Sequence, residues 1–456
     1  MKKITILIII LSSFSSVYSQ ELVSTLIERE AAYQHFNGTA LVVKNNQIIC
    51  NQSFGYADHI NKTLNTNQTA FDIGSVSKQF TAAGILHLVH QNKLKLDDNI
   101  NTHLGKYASK KWKKVTVHQL LSHSSGIPSL YQSQEGTDDI FPSEKTIFSE
   151  KLVNSISSKK LKFKPGSRYR YSNTGYLLLA LIVENISGKT YKEYMQTEIF
   201  NKYGLLATTF GQPTANFAKP YFNYHEDITQ PGTLFDKSWM LGAGGIYSTA
   251  GDLAKWLQII NSDDFLTNEL RELYFAQHVK TRNGYYGYGW DIKNKYNRKI
   301  FEHNGTNMGY ISYCGFNKEN NEAIILLTNQ SYPTFETVSE SDIYIQSLAN
   351  KVWQILEGEE ITLLPQIESS EAITSSYQFE DGFLLDIILK NDNKLLIQGK
   401  GDYTPSRMIY QHTLTATDTL SQRVLRISEQ LELKKFRKIA DICDKQMKTV
   451  VKTGVM

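Results

Sequence analysis

Residues 71–90 constrain the fold more than any other stretch of this chain. Their pattern predicts a tight turn near Gly74 that feeds a buried helix ending near Asn92. Small residues between the apolar ones would let other elements approach this helix closely. The apolar positions that recur at helical spacing are Phe80, Ile85, Leu86 and Val89.

Ser75 and Lys78 are the chemically notable pair in this stretch. Residues three apart share a helical face, so the Lys78 amine is expected beside the Ser75 hydroxyl. A serine hydroxyl becomes a good nucleophile when a base takes its proton, and a lysine can do so when desolvation or a nearby cation favours its neutral form. Because both residue types are common, Ser-x-x-Lys alone is weak evidence, and the case depends on further motifs.

The charge balance of the chain gives no strong case for nucleic acid as a partner. The 456 residues include 49 basic and 45 acidic ones, a formal net charge of +4. A hydrophobic fraction of 41% and a charged fraction of 21% are typical of a folded protein. The length suffices for two or three domains, or for one catalytic domain with an appendage.

Residues 1–19 have the pattern of a secretory signal peptide. Lys2 and Lys3 precede an apolar run at 4–11, and Val17 and Ser19 are the small residues before a predicted cleavage site. The run is too short to span a bilayer, and no later stretch is long enough, so no membrane span is predicted. We therefore expect an exported protein, periplasmic or extracellular.

The remaining chain predicts an α+β fold, an antiparallel sheet flanked by helices with a mostly helical insertion. A hairpin at 38–57 and strands between 288 and 329 lie at opposite ends of residues 20–357, which implies one sheet built from distant segments. A linker is expected at 358–371. Residues 372–456 are predicted to form a small β-module followed by a basic helical tail. Residues 131–150 are predicted to form a loop that covers the site around Ser75.

Two further stretches complete the chemistry that begins at Ser75. Tyr171-Ser-Asn173 is predicted on a loop that enters a helix, and His303-Asn-Gly-Thr306 at the end of a strand. With these motifs following Ser-x-x-Lys in order, residues 25–355 resemble the serine β-lactamases and penicillin-recognising enzymes. The resemblance is closest to the class C β-lactamase group, with its DD-peptidase, D-aminopeptidase and esterase relatives. Four connecting stretches share it, at 71–75, 120–128, 169–176 and 244–253.

The resemblance implies a β-lactamase/transpeptidase-like fold and acyl transfer through a covalent serine ester. Ser75 would be the nucleophile, and Lys78 and Tyr171 would share the base and acid duties. Asn173 would orient Lys78 or hydrogen-bond a substrate amide. His303 and Gly305 would line the opposite wall, and the N–H groups of Ser75 and Thr306 would form the oxyanion hole. The implied partner is a small-molecule or peptide substrate, cell-wall-derived compounds included, with no metal and no cofactor.

The share of Tyr171 in proton transfer stays open at this point. A free phenol has a pKa near 10, so bringing it to about 7 needs roughly 4 kcal/mol of preference for the phenolate. An exposed ion pair supplies only about 0.2 to 1 kcal/mol. Tyr171 is therefore expected to be partly desolvated beside Lys78, or to relay a proton while Lys78 abstracts it.

His303 departs from the family pattern. Many β-lactamases and DD-peptidases have a lysine at this place, whose charge helps to receive a substrate carboxylate. A histidine with a pKa of about 6.5 is mostly neutral at pH 7. This favours substrates without that carboxylate, such as esters and small peptides.

Plainer interpretations accompany these assignments. Tyr171 and Asn173 could belong to a helix-capping turn, and His303 could be an ordinary strand-end histidine. His87 and His90 are expected to be packing or surface residues rather than metal ligands. Ser122, His123 and Ser125 are expected to brace the loop that follows their helix. Residues 285–290 are expected to be aromatic core residues of a strand, and residues 242–245 to form a turn that glycine permits. The alternative function is a penicillin-binding-like sensor that acylates without turnover.

Overall fold

The computed structural model describes residues 19–32, 36–129, 149–224, 227–229, 236–331, 338–361 and 363, and four strands between residues 373 and 414. Residues 1–18 of the predicted signal peptide, the predicted loop up to residue 148 and the predicted basic tail lie outside these ranges. The chain divides into two compact units, one of residues 1–223 and 228–363 and one of residues 224–227 and 364–456.

An eight-stranded antiparallel sheet lies at the centre of the first unit. Strand β1, from the start of the chain, pairs with β15, almost 300 residues later, with Gly38 opposite Thr328 and Val43 opposite Ala323. The prediction of one antiparallel sheet built from distant segments is confirmed. In spatial order the strands are β10 (Val279–Lys280), β11 (Tyr285–Tyr286), β12 (Asp291–Lys295), β13 (Arg298–Asn307), β14 (Tyr310–Asn317), β15 (Glu322–Thr328), β1 (Gly38–Lys44) and β2 (Gln47–Phe54).

Short strands surround this sheet. The site described below depends on one group of three, in which the strand before Ser75 pairs with a strand that leads into a later helix. These three are β5 (Phe71–Asp72), β9 (Ile246–Ser248) and β6 (Thr209–Phe210). The others are β3 (Tyr56–Asp58), β4 (Thr63–Leu64), β7 (Tyr221–Tyr224), β8 (Asp227–Thr229) and β16 (Gln330–Ser331).

The helices begin at side-chain caps where the sequence offers them. Ser172, Thr116 and Thr249 each accept a hydrogen bond from a backbone N–H in the first turn of the helix that follows. The helices are α1 (residues 19–32), α2 (Ser77–His90), α3 (Val117–Leu121), α4 (Ser149–Ser157), α5 (Asn173–Ser187), α6 (Tyr191–Tyr194), α7 (Ala250–Asn261), α8 (Asn268–Tyr274) and α9 (Val338–Glu357). A 3₁₀ turn at Gly74–Val76 precedes α2, and a π-turn at Met195–Phe200 continues α6.

The sheet separates two hydrophobic cores. Because strand side chains alternate between faces, Leu41 of β1 joins the core that contains α2 and α5, while its neighbour Val42 joins the core beside α1 and α9. Helix α2 is buried on nearly every side, from Ser77 to Leu88. A helix that is buried all round cannot shift without repacking the core, so it holds its first turn rigidly.

Tyr288 and Trp290, predicted in a strand, lie instead in a turn. The Gly287 N–H donates to the Trp290 carbonyl over 2.8 Å, and regular pairing resumes at Asp291. Both aromatic side chains are buried, as core residues would be. Because the turn breaks the sheet here, β11 and β12 are separate strands joined by a tight connection.

The second unit contains four short antiparallel strands. They are β17 (Ile373–Gln378), β18 (Leu384–Leu389), β19 (Leu395–Lys400) and β20 (His412–Leu414), paired in chain order. All four strands lie within residues 372–456, for which the sequence predicts a small β-module. Among the described residues of the whole chain, no helix combines the length and the apolar character that a membrane crossing requires.

A buried ion pair that joins β13, β15 and α9 gives a test of this packing. Arg298 donates to both carboxylate oxygens of Glu322, over 2.6 and 3.0 Å, and to the Leu356 carbonyl. We predict that Arg298→Met lowers the free energy of unfolding by about 3 to 5 kcal/mol, because Glu322 is left buried without its partner. Urea denaturation measures this loss.

The control for this prediction is Lys106→Met, which removes a solvent-exposed pair with Glu150. It should leave the urea midpoint unchanged within error. The double variant Arg298→Met/Glu322→Leu removes both charges and should recover part of the lost stability. An Arg298→Met protein as stable as the wild type would contradict the prediction.

Candidate active site

Ser75 lies in the 3₁₀ turn immediately before α2, and two side chains reach its hydroxyl. Lys78 Nζ lies 2.9 Å from Ser75 Oγ, and the Tyr171 hydroxyl donates to the same oxygen over 2.9 Å. Ser75 is only partly buried, whereas Lys78 is completely buried. The structure thus brings together the three residues that the sequence predicts as the reacting groups.

Burial determines the protonation of Lys78. Its aliphatic chain runs inside the core, and burial lowers the pKa of its amine well below the ordinary value. Nζ also donates to the Ala243 carbonyl over 2.6 Å, and it lies 4.8 Å from the centre of the Tyr171 ring. With a proton held against Ala243, the lone pair of a neutral amine can face Ser75, which is the arrangement that a general base requires.

The ring of His123 packs against the ring of Tyr171. The two rings lie 4.3 Å apart between centres, and His123 Nδ1 accepts the N–H of Ser172 over 3.2 Å. Burial is the main reason that the pKa of His123 lies well below its ordinary value, so the imidazole is neutral. Ser172 caps α5, so the capping turn and the placement of Tyr171 are features of the same loop.

Asn173 is the first residue of α5 and borders the same space. Its backbone N–H donates to Ser129 Oγ over 3.3 Å. Its side-chain oxygen is buried and has no hydrogen-bond partner in the part of the chain that the structure describes. The second contact of Lys78 is with Ala243, so the geometry leaves the Asn173 oxygen available to an N–H donor that enters the site.

Strand β13 forms the opposite wall and presses directly on the Ser75 turn. A Cβ atom added to Gly305 would lie 2.0 Å from the Ile73 carbonyl oxygen, so only glycine permits this approach. Ser312 of the adjacent strand donates to the same carbonyl over 2.8 Å. The backbone N of Thr306 consequently lies beside Gly74, next to the nucleophile.

His303 is buried in this wall, and both ring nitrogens have partners. Nδ1 lies 2.6 Å from the Asn304 carbonyl oxygen, and Nε2 lies 3.2 Å from the Tyr286 hydroxyl. Because a carbonyl can only accept, Nδ1 carries the hydrogen and Nε2 accepts from Tyr286. Burial is the main reason that the pKa of His303 falls to about 3. The wall therefore carries a neutral ring whose single N–H is already used.

Two residues that contribute to the site, Ala243 and His123, do not belong to the Ser-x-x-Lys, Tyr-x-Asn or His-x-Gly motif. The predicted permissive turn at 242–245 supplies the Ala243 carbonyl to Lys78. The predicted loop brace includes His123, which also supports Tyr171. A run of small residues and a histidine flanked by serines are the signals that mark these two places. Neither signal specifies a partner, because both partners are distant in the chain.

His87 packs as a core histidine. Its Nδ1 lies 2.9 Å from the Tyr194 hydroxyl, and burial is the main reason that its pKa falls to about 4. Within the described ranges, no group of three or more histidine, cysteine, aspartate or glutamate side chains is arranged to hold a metal ion.

Comparison with known proteins identifies the family of this chain. The family model described as Beta-lactamase matches residues 23–350. Penicillin-binding protein 4* of Bacillus subtilis is 27% identical over 402 residues, which cover 82% of this chain and 86% of that protein.

Solved structures share the fold. The penicillin-binding protein from Bacillus halodurans has a TM-score of 0.61 at 25% identity, covering 72% of this chain and 98% of that one. The D-amino acid amidase from Ochrobactrum anthropi SV3 has a TM-score of 0.64 at 22% identity, and the match covers 74% of this chain and 99% of that one. At this identity the likeness shows the fold alone. Because the family model spans most of the chain, this chain belongs to the Beta-lactamase family and is a serine hydrolase.

Proposed function

We propose that this protein is an exported hydrolase that cleaves ester or amide bonds through an acyl-Ser75 intermediate, and that it prefers acyl donors without a carboxylate at the β13 wall. The observation that carries the proposal is the buried Lys78 amine, 2.9 Å from a partly exposed Ser75 hydroxyl. The wall residue His303, neutral and fully hydrogen-bonded, supports the substrate preference.

Acylation begins with proton transfer from Ser75 to the neutral amine of Lys78. Ser75 Oγ then bonds to the carbonyl carbon, and the negative charge that develops on the carbonyl oxygen is received by the N–H groups of Ser75 and Thr306. The bond to the leaving group breaks, and that group takes a proton from Tyr171, which Lys78 replaces. The strongly lowered pKa of Lys78 supports its role as the base, with Tyr171 as the relay.

Deacylation uses the same groups in reverse. A water molecule loses a proton towards Tyr171 and Lys78 and attacks the acyl carbon, and Ser75 regains its proton as the ester breaks. Asn173 contributes by accepting an N–H of the substrate with its buried side-chain oxygen. Gly305 contributes by its lack of a side chain, which lets the Thr306 N–H come close to the Ser75 turn.

A carboxylate-bearing substrate fits the β13 wall poorly. A fixed positive charge there would offset the cost of desolvating the carboxylate, whereas His303 stays neutral throughout the physiological pH range because its pKa is about 3. Its N–H is committed to the Asn304 carbonyl and its second nitrogen to Tyr286. Neutral esters and amides carry no charge to be desolvated at this wall.

The first prediction concerns the covalent intermediate. A fluorophosphonate probe should add its mass to Ser75, as read by mass spectrometry of the intact protein and its peptides, and Ser75→Ala should abolish the adduct. Lys78→Met should lower kcat/KM for p-nitrophenyl acetate about 10² to 10⁴-fold, the usual contribution of a general base. Tyr171→Phe should lower it less, because the phenol relays a proton that the base has already taken.

Ser262→Ala is the control, since this serine follows α7 and its hydroxyl hydrogen-bonds only with Ile259 and Asp264 among the described contacts. It should retain full labelling and turnover. Absence of any adduct on the wild-type protein, together with no ester hydrolysis, would refute the proposed function. A stable adduct without turnover would instead support a penicillin-binding-like sensor.

The second prediction concerns substrate choice. Wild-type protein should hydrolyse p-nitrophenyl esters and D-amino-acid amides with a higher kcat/KM than nitrocefin or D-Ala-D-Ala peptides, which carry a carboxylate. His303→Lys should lower KM for nitrocefin at least tenfold, because it introduces a positive charge at the wall. His303→Gln, which is neutral, is the control and should not. Equal nitrocefin KM values for the Lys and Gln variants would contradict the electrostatic explanation.

The third prediction concerns export. When the full chain is produced in a bacterium with a secretory pathway, the mature protein should begin at Gln20, as read by N-terminal sequencing of material recovered outside the cytoplasm. Replacing Lys2 and Lys3 with glutamate should keep the precursor inside the cell. Recovery of only the full-length chain from the cytoplasm would count against this part of the proposal.

A further inference from the structure

A buried ion pair lies behind the candidate site. Lys237 Nζ is 2.8 Å from Asp72 Oδ2, and the two side chains are 5% and 0% exposed. The rings of Tyr247 and Tyr310 lie 5.6 and 6.0 Å from the ammonium. Burial opposes the charge of Lys237, but Asp72 and Tyr247 together outweigh this effect and raise the pKa of Lys237 above its ordinary value, so the amine stays charged.

The Asp72 carboxylate gathers three donors from three separate segments. Oδ2 accepts from Lys237 and, over 2.6 Å, from the side-chain amide of Asn307. Oδ1 accepts from the backbone N–H of Gly74 over 2.9 Å. All of these groups are buried, so the carboxylate ties together parts of the chain that are more than 200 residues apart.

Each donor lies next to a part of the proposed oxyanion hole or its support. Gly74 immediately precedes Ser75, and Asn307 immediately follows Thr306. The segment after Lys237 turns through Met240, whose N–H donates to the Lys237 carbonyl and whose carbonyl accepts from Ala243. A single carboxylate therefore bridges the two backbone segments whose N–H groups would receive the oxyanion, in addition to the Ser312 contact with Ile73.

A buried ion pair is seldom the best way to stabilise a core. Replacing such a pair with apolar residues is often neutral or stabilising, because desolvating two charges costs more than their attraction returns. The N–H donors of an oxyanion hole, by contrast, must lie about 2.7 to 3.1 Å from the developing charge, and losing one costs about 10² to 10³ in kcat. The Asp72 carboxylate, which accepts hydrogen bonds from several segments, can fix the positions of these N–H groups.

We propose that Asp72 and Lys237, with Asn307, are positioning residues that hold the Ser75 and Thr306 N–H groups at the separation required for transition-state stabilisation. This inference rests on the proposed acyl-serine mechanism. Substitution of these residues is expected to lower kcat and to weaken the binding of tetrahedral analogues, while the KM of the substrate changes little. If the pair were purely structural, its loss would lower the stability of the protein and leave kcat unchanged at a temperature at which the variant is folded.

The informative variant is Asn307→Ala, which cuts the tie between Asp72 and β13 while the ion pair stays intact. We expect kcat for p-nitrophenyl acetate to fall at least tenfold at unchanged KM. The inhibition constant of phenylboronic acid, which forms a tetrahedral adduct on Ser75, should rise by a similar factor. Lys237→Met should show the same pattern more strongly, and Lys237→Arg should restore part of the rate.

Lys219→Met is the control, because Lys219 forms a similarly short, 2.7 Å pair with Asp58, although its side chain is 31% exposed, and neither residue contacts Ser75, Lys78 or Tyr171 among the described hydrogen bonds and ion pairs. It should leave kcat and boronate inhibition unchanged, and thermal melts should show which variants are folded at the assay temperature. If Lys237→Met fails to fold, Asn307→Ala decides the question. A folded Asn307→Ala protein with the kcat and boronate inhibition of the Lys219→Met control would overturn the inference. Lack of fluorophosphonate labelling in the wild type would overturn the proposed function instead.

Discussion

Burial of the Lys78 amine next to the Ser75 hydroxyl is the constraint on which the site depends. An ammonium ion loses much of its hydration inside a protein, so the fold favours the neutral amine. That cost is tolerated because α2 is packed on nearly every side and cannot move the side chain towards solvent. The rigid core thus keeps beside Ser75 a neutral amine, which is the form that the proposed general base requires.

The same burial has a different consequence on the opposite wall. His303 also loses its charge, but its two nitrogens are occupied by Asn304 and Tyr286, so it offers substrate neither a cation nor a free N–H. At Lys237 the outcome is reversed, because the Asp72 carboxylate lies within 2.8 Å and keeps the ammonium charged. Whether a buried base is charged depends on its immediate partner rather than on its depth.

Local sequence patterns predicted much of the fold. The hairpin β1–β2, the helices α2 and α5, and strands β13 to β15 lie where the sequence predicts them, because periodicity and turn signals involve neighbours a few residues apart. The turn at Gly287 was predicted as strand, since two buried aromatic residues look the same in a strand and in a tight turn. Ser75, Lys78 and Tyr171 were identifiable because their motifs have a fixed order.

The sequence by itself determined the family and the general class, a serine hydrolase, because Ser-x-x-Lys, Tyr-x-Asn and His-x-Gly occur in the family's order. Tertiary structure alone decided what surrounds them: the Ala243 carbonyl on Lys78, the His123 ring behind Tyr171, and the Asp72 carboxylate between two distant segments. These contacts join residues 48 to 235 positions apart. No local pattern encodes such pairings, because they exist only once the sheet and helices have packed.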